Sequence, residues 1–123
     1  MATIMVVDDD ENCRLLLGAI LRSSGHEVIE AENGKVGLEV YLQNSIDLII
    51  TDIFMPLMDG IDLLAAVLSR HPDRKMIAIS GGYKAMNAQL ILKMAQSFGA
   101  IDIISKPFQI VTVVEKVEMA LQR

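Results

Sequence analysis

Short apolar runs rich in β-branched residues alternate along this chain with longer stretches in which apolar positions return every three or four residues. Thr3–Val7 (TIMVV), Asp47–Thr51 (DLIIT) and Lys75–Ile79 (KMIAI) have the length and composition of buried strands. His26–Ala31 (HEVIEA) alternates more weakly and Ile101–Ile104 is short, but both fall where a strand is due. Between them the spacing predicts helices. The first runs from Glu11 to Ser23, with Asp10 at its N-cap and Leu16, Leu17, Ile20 and Leu21 on its apolar face. The second follows Asn33-Gly34 and reaches Gln43. The third spans Ile61–Ser69, with Ile61, Leu64 and Leu68 on one side and Pro72 beyond its end. The fourth runs from Ala85 to Ser97. The last runs from Ile110 to Leu121, with Ile110, Val114, Val117 and Leu121 in register. Strict βα alternation implies an α/β domain with parallel strands, right-handed crossovers and helices on both faces.

Composition narrows the class. With 123 residues, 52% of them apolar and 22% charged, the chain is read as one globular domain, residues 1–123, with no linker or low-complexity segment. No apolar run approaches the roughly 18 residues of a membrane span, and the N-terminus lacks a secretory pattern. A cytoplasmic protein is expected, and the single Cys13 fits a reducing compartment. The net charge of −5 argues against direct nucleic-acid binding. It suits a partner or cation that reads an acidic pocket.

The chemistry gathers at strand ends. Asp8-Asp9 follow the first strand, Asp52 the third, Ser80 the fourth and Lys106 the fifth. Each alone is weak, since acidic residues near helix starts commonly serve as caps. In a parallel sheet, however, all these ends share one edge, where ligands of open α/β sheets bind. Three carboxylates brought together repel unless a cation intervenes. Oxygen donors without His or Cys favour Mg²⁺. Lys106 supplies a positive charge for phosphoryl oxygens, Ser80 a hydroxyl donor, and Asp52 a carboxylate able to form an acyl phosphate.

VVDDD at Val6–Asp10, TDIFMPLMDG at Thr51–Gly60, AIS at Ala78–Ser80 and SKPF at Ser105–Phe108 occur in order and at fixed separations. In these segments the chain resembles the receiver domain of two-component response regulators, of the stand-alone, chemotaxis-regulator type, over essentially its whole length. The resemblance implies a flavodoxin-like (βα)5 fold with strand order 2-1-3-4-5, which the apolar pattern alone does not give. It implies Asp52 as phospho-acceptor. It further implies Mg²⁺ held by Asp9, by Asp8 mostly through water, by Asp52 and by the main-chain carbonyl of Phe54. Ser80 matches the switch hydroxyl and Lys106 the phosphate-pairing lysine, with a cis Lys106-Pro107 bond. The implied phosphodonor is a histidine kinase or phosphotransfer protein. The implied output is a downstream protein, or a second copy, engaged through the fourth helix, fifth strand and fifth helix. Because the sequence ends with the fifth helix, no DNA-binding or enzymatic output is expected within it; the output is expected to be a partner or a separate domain, and the only catalysis implied is of the domain's own phosphorylation and dephosphorylation.

The chain departs from the family at Ile103, where an aromatic switch residue is usual, and neither Tyr83 nor Phe98 is assigned its role. Gly81-Gly82 after Ser80 is a second departure. Asp59-Gly60 reads as turn structure. Cys13 reads as a packed or half-exposed, unactivated thiol, and His26 and His71 as surface residues. The apolar excess of the fourth helix, at Leu90, Ile91, Leu92 and Met94, hints at an exposed contact face. A haloacid-dehalogenase-type phosphohydrolase would need a second Asp where Phe54 stands. A flavodoxin-like cofactor binder would need a phosphate loop where three aspartates stand. A phosphorylation-independent pseudo-receiver would not need the complete set of site residues.

Overall fold

The computed structural model describes residues 1–53, 58–81 and 88–123, without the side chains of Ser80, Ala88, Gln89, Ile91 and Leu92. Its strands are β1 (Thr3–Val7), β2 (Glu27–Ala31), β3 (Leu48–Asp52), β4 (Lys75–Ser80) and β5 (Asp102–Ser105). They alternate with α1 (Glu11–Ser23), α2 (Gly34–Gln43), α3 (Gly60–Arg70), α4 (Ala88–Ser97) and α5 (Ile110–Gln122). All pairings are parallel and the sheet order is β2-β1-β3-β4-β5, as the resemblance implies. Among the described residues no helix is long and apolar enough to cross a membrane.

Because successive strand residues point to opposite faces, each strand feeds both layers. Ile4, Val6, Leu48, Ile50, Ile77, Ile79 and Ile104 pack under α1 and α5. Met5, Val7, Ile49 and Met76 pack under α2 and α3. A smaller cluster of Ile53, Ala78, Ala95, Ala100 and Ile103 joins the β4–β5 edge to α4. Burial on both faces of β1 and β3 explains why they read as continuous apolar runs, whereas the edge strand β2 is only half-buried and alternates.

Caps fix the helix starts. Asp10 accepts from the Asn12 N–H at 3.0 Å and Asn33 from the Val36 N–H at 2.9 Å. Asp59 accepts from the Asp62 N–H at 2.9 Å, so Asp59-Gly60 is a helix start as well as a turn. Strand ends differ from the sequence reading by a residue: β3 runs through Asp52, which pairs in register with Ile79 of β4.

Helix faces differ more. On α1 the buried residues are Cys13, Leu17, Gly18, Ile20 and Leu21, while Leu16 is 48% exposed. In α3 Leu63, Leu64 and Val67 face the core. In α5 it is Val113, Val117 and Ala120, and Ile110 is 61% exposed. The predicted start of the fourth helix at Ala85 lies outside the described residues, as do the side chains of Ile91 and Leu92.

His26 is not a free surface group. Its Nδ1 accepts from the Ala2 N–H at 3.1 Å and its Nε2 meets Glu118 at 2.9 Å, so the imidazole ties the segment just before β1 to α5. His71, though exposed, is bonded through Nδ1 to the buried Tyr41 hydroxyl, which also accepts from Arg74 Nε at 3.2 Å.

Candidate functional site

The carboxyl edge of the sheet collects the groups that the chain separates by up to 98 positions, from Asp8 to Lys106. β1 ends at Val7, so Asp8 and Asp9 begin the loop to α1; β3 ends on Asp52; β5 ends at Ser105, one residue before Lys106. Carboxylate oxygens of Asp8, Asp9 and Asp52 all lie within 4.8 Å of one another. Lys106 Nζ donates to Asp52 Oδ2 at 3.2 Å and stands 2.9 Å from Asp8 Oδ2. The Lys106-Pro107 peptide is cis.

Exposure is graded across the cluster. Asp8 is fully buried, Asp52 is 6% exposed, and Asp9 faces solvent. Asp8 Oδ1 accepts from the Asp10 N–H at 2.9 Å. Its Oδ2 is within ion-pair range of Lys106 but off the line of a hydrogen bond, and has no hydrogen-bond partner among the described residues. Burial alone would push the Asp8 carboxyl up. The Cys13 thiol, the Asp10 N–H and the Lys106 ammonium outweigh it, and the carboxyl sits below its ordinary range. Burial likewise works against the charged form of Lys106, but Asp8 and Asp52 override it and the ammonium is held more firmly than usual. Three carboxylates against one ammonium leave the pocket negative. A buried, under-bonded Asp8 oxygen beside two further hard oxygen donors fits a divalent cation such as Mg²⁺.

Cys13 lies beneath the cluster, 7% exposed, its thiol pushed up to about 12 by burial and by Asp8. It stays protonated at neutral pH and is no nucleophile.

Two glycines shape the floor. The Gly60 N–H donates to the Ile53 carbonyl at 2.9 Å, and a Cβ there would lie 2.1 Å from the Asp52 carbonyl oxygen. A Cβ at Gly81 would lie 2.3 Å from Cδ of Lys106, so the glycine after Ser80 makes room for the lysine stem. Gly60→Ala is expected to cost about 1–3 kcal/mol, because backbone on both sides must separate. A urea unfolding curve with an unchanged slope and a lower midpoint checks this.

The structure brings Asp8, Asp9, Asp52 and Lys106 together. Ser80 ends β4 opposite Ser105, with its hydroxyl outside the described residues. Phe54, Gly82 and Tyr83 also lie outside them. Ile103 is buried against Ile53, Ala78, Ala95 and Ala100, while Phe98 is 43% exposed. Sequence reasoning missed Arg14, whose Nη1 donates to the Asp8 carbonyl at 2.6 Å. An arginine on a helix face gives no sign that it reaches back to the loop preceding its helix.

A model of the response regulator receiver domain family matches residues 4–118. The chain is 37% identical to the chemotaxis protein CheY of Listeria monocytogenes over 121 residues, covering 98% of each. It is 39% identical to the chemotaxis protein CheY of Bacillus subtilis over 119 residues, covering 96% of each. Among solved structures, the receiver domain of NtrX from Brucella abortus superposes with a TM-score of 0.88 at 30% identity, covering 97% of this chain and 98% of that one.

Proposed function

Since the chain belongs to the response regulator receiver domain family, we propose that residues 1–123 act as a single CheY-like receiver domain that takes a phosphoryl group on Asp52 and thereby switches partner binding. The observation that carries this reading is the cluster of three carboxylates within 4.8 Å, with the Lys106 ammonium reaching two of them.

Asp52 is the acceptor because its carboxylate ends the central strand and faces both the lysine and the other two acids. A carboxylate oxygen forms a bond to phosphorus while the bond from phosphorus to the donor's histidine nitrogen breaks, and that electron pair stays on the imidazole. Such a transfer asks mainly for positioning and for charge to receive the phosphoryl oxygens. Lys106, already 3.2 Å from Asp52 Oδ2, turns its ammonium to one of those oxygens. The Ser80 hydroxyl donates to another and draws its loop inward. When bound, Mg²⁺ would be held by Asp9, Asp52 and, by family resemblance, the main-chain carbonyl of Phe54, with Asp8 acting mostly through water. Magnesium, when bound, supplies further neutralisation of the phosphoryl oxygens and of the acidic cluster.

The phosphodonor is a histidine kinase or phosphotransfer protein in the cytoplasm. The output is a downstream protein, or a second copy of the chain, contacting α4, β5 and α5. Phosphorylation biases a pre-existing equilibrium between two states of the loops after β3 and β4. The catalysis that this reading assigns to the domain is of its own phosphorylation and dephosphorylation.

Incubation with acetyl phosphate and Mg²⁺ tests this by intact mass. The mass of one phosphoryl group is expected to appear with Mg²⁺ and to be lost when EDTA replaces it. Equal labelling with and without the metal would remove the cation from the reading.

A further inference from the structure

The Asp8 carbonyl is the first in its segment that the sheet does not serve. β1 and β2 pair as far as Val7 and Ala31, and the Asp8 N–H still reaches the Ala31 carbonyl at 3.1 Å. Beyond that point the ladder stops, and the carbonyl of Asp8 accepts instead from Arg14 Nη1 at 2.6 Å. This carbonyl belongs to the peptide unit joining Asp8 to Asp9. Its direction therefore sets where the Asp9 side chain leaves the backbone. Asp9 needs such help: it is exposed, and its carboxylate has no hydrogen bond among the described residues.

Arg14 is itself braced. Its Nε stands 3.6 Å from Glu30 Oε1 on β2, and the other oxygen of Glu30 meets Arg22 Nη2 at 3.5 Å. Gly18 leaves the space this network occupies, since a Cβ there would lie 3.0 Å from Arg22 Nη1 and 3.6 Å from Glu30 Oε2. The Arg14 side chain is only 16% exposed, so the guanidinium has few other places to go. A planar fork with one arm on a carbonyl and one on a carboxylate is a task for arginine, and lysine reproduces only part of it.

We propose that Arg14 is a positioning residue for the acidic cluster: by fixing the Asp8–Asp9 peptide unit, it aims the Asp9 carboxylate at the cation. This rests on the reading of Asp8, Asp9 and Asp52 as a Mg²⁺ site. Partners that orient metal ligands typically change affinity by about ten- to a hundredfold when removed.

The test is a Mg²⁺ titration of the full chain followed by amide NMR, without phosphodonor, alongside melting temperatures in metal-free buffer. Arg14→Gln is expected to weaken Mg²⁺ binding roughly tenfold and to shift the Asp9 amide resonance before metal is added. Arg14→Lys is expected to recover part of the affinity. Glu30→Gln, which loosens the brace and leaves the guanidinium, is expected to fall between the parent and Arg14→Gln, and it serves if Arg14→Gln does not fold. Unchanged Mg²⁺ affinity in Arg14→Gln overturns the inference. So does a loss of affinity that merely tracks the fall in melting temperature across the variants. A parent that binds no Mg²⁺ overturns the metal reading itself, before any variant is compared.

Discussion

Asp52→Asn is expected to abolish phosphorylation by acetyl phosphate, with a loss of roughly a thousandfold or more in rate. The amide is close in shape to the carboxylate, and its oxygen can still accept from Lys106, so the fold is expected to survive. What it lacks is the negative oxygen that attacks phosphorus. Asp8 and Asp9 do not replace it. Asp8 is fully buried under the lysine, and Asp9 lies on the loop rather than on the strand end. Intact mass spectra of parent and variant, taken side by side, decide the matter. Equal labelling of both would mean that the phosphoryl group lands elsewhere.

Lys106→Met is expected to slow phosphorylation by about 10²–10³, the usual cost of losing one preorganised group at a developing charge. It is also expected to cost stability, by about 2 kcal/mol near neutral pH, since a bond to a charged partner is lost and Asp8 stays buried. The pH dependence has a definite sign. In the parent, the folded Asp8 carboxyl lies below its unfolded value of 3.8, so its contribution is present above that pH and is lost as pH falls through the folded value. The Lys106 ammonium is held above its unfolded value of 10.5, so its contribution is present below that pH and is lost as pH rises past it. The gap in stability between parent and variant is therefore expected to be widest across the middle range and to narrow in acid. Urea midpoints from pH 3 to pH 8 measure it. A gap that widens in acid would contradict the assignment of the ion pair.

Much of the architecture was legible because of one regularity. Buried parallel strands are unbroken apolar runs, and the helices between them carry stripes, so βα alternation could be read directly. The lateral order of the strands could not: nothing in TIMVV or KMIAI says which neighbour it pairs with, and that order came with the family motifs. Convergence of Asp8, Asp9, Asp52 and Lys106 was legible for a topological reason, since parallel strands put their carboxyl ends on one edge. Helix faces were harder. Leu15-Leu16-Leu17 offers three apolar residues in succession, and the 3.6-residue period does not say which one faces the sheet; Leu17 does, and Leu15 is 53% exposed. In α5 the stripe centres on Val113, Val117 and Ala120, where a small alanine gave little apolar signal. The roles of Gly60, Gly81 and Arg14 were hidden because each depends on a contact with backbone or with an aliphatic stem. Such contacts leave no mark in residue type.

Asp52 is mounted on the strand at the middle of the sheet, gripped by β1 on one side and β4 on the other. β3 is the central strand and is buried along its whole length, so its amides are expected to be among the slowest to exchange with deuterated solvent. If Asp52 takes a phosphoryl group as proposed, β3 is expected to hold its place, and its amide exchange is expected to be unchanged between the two forms.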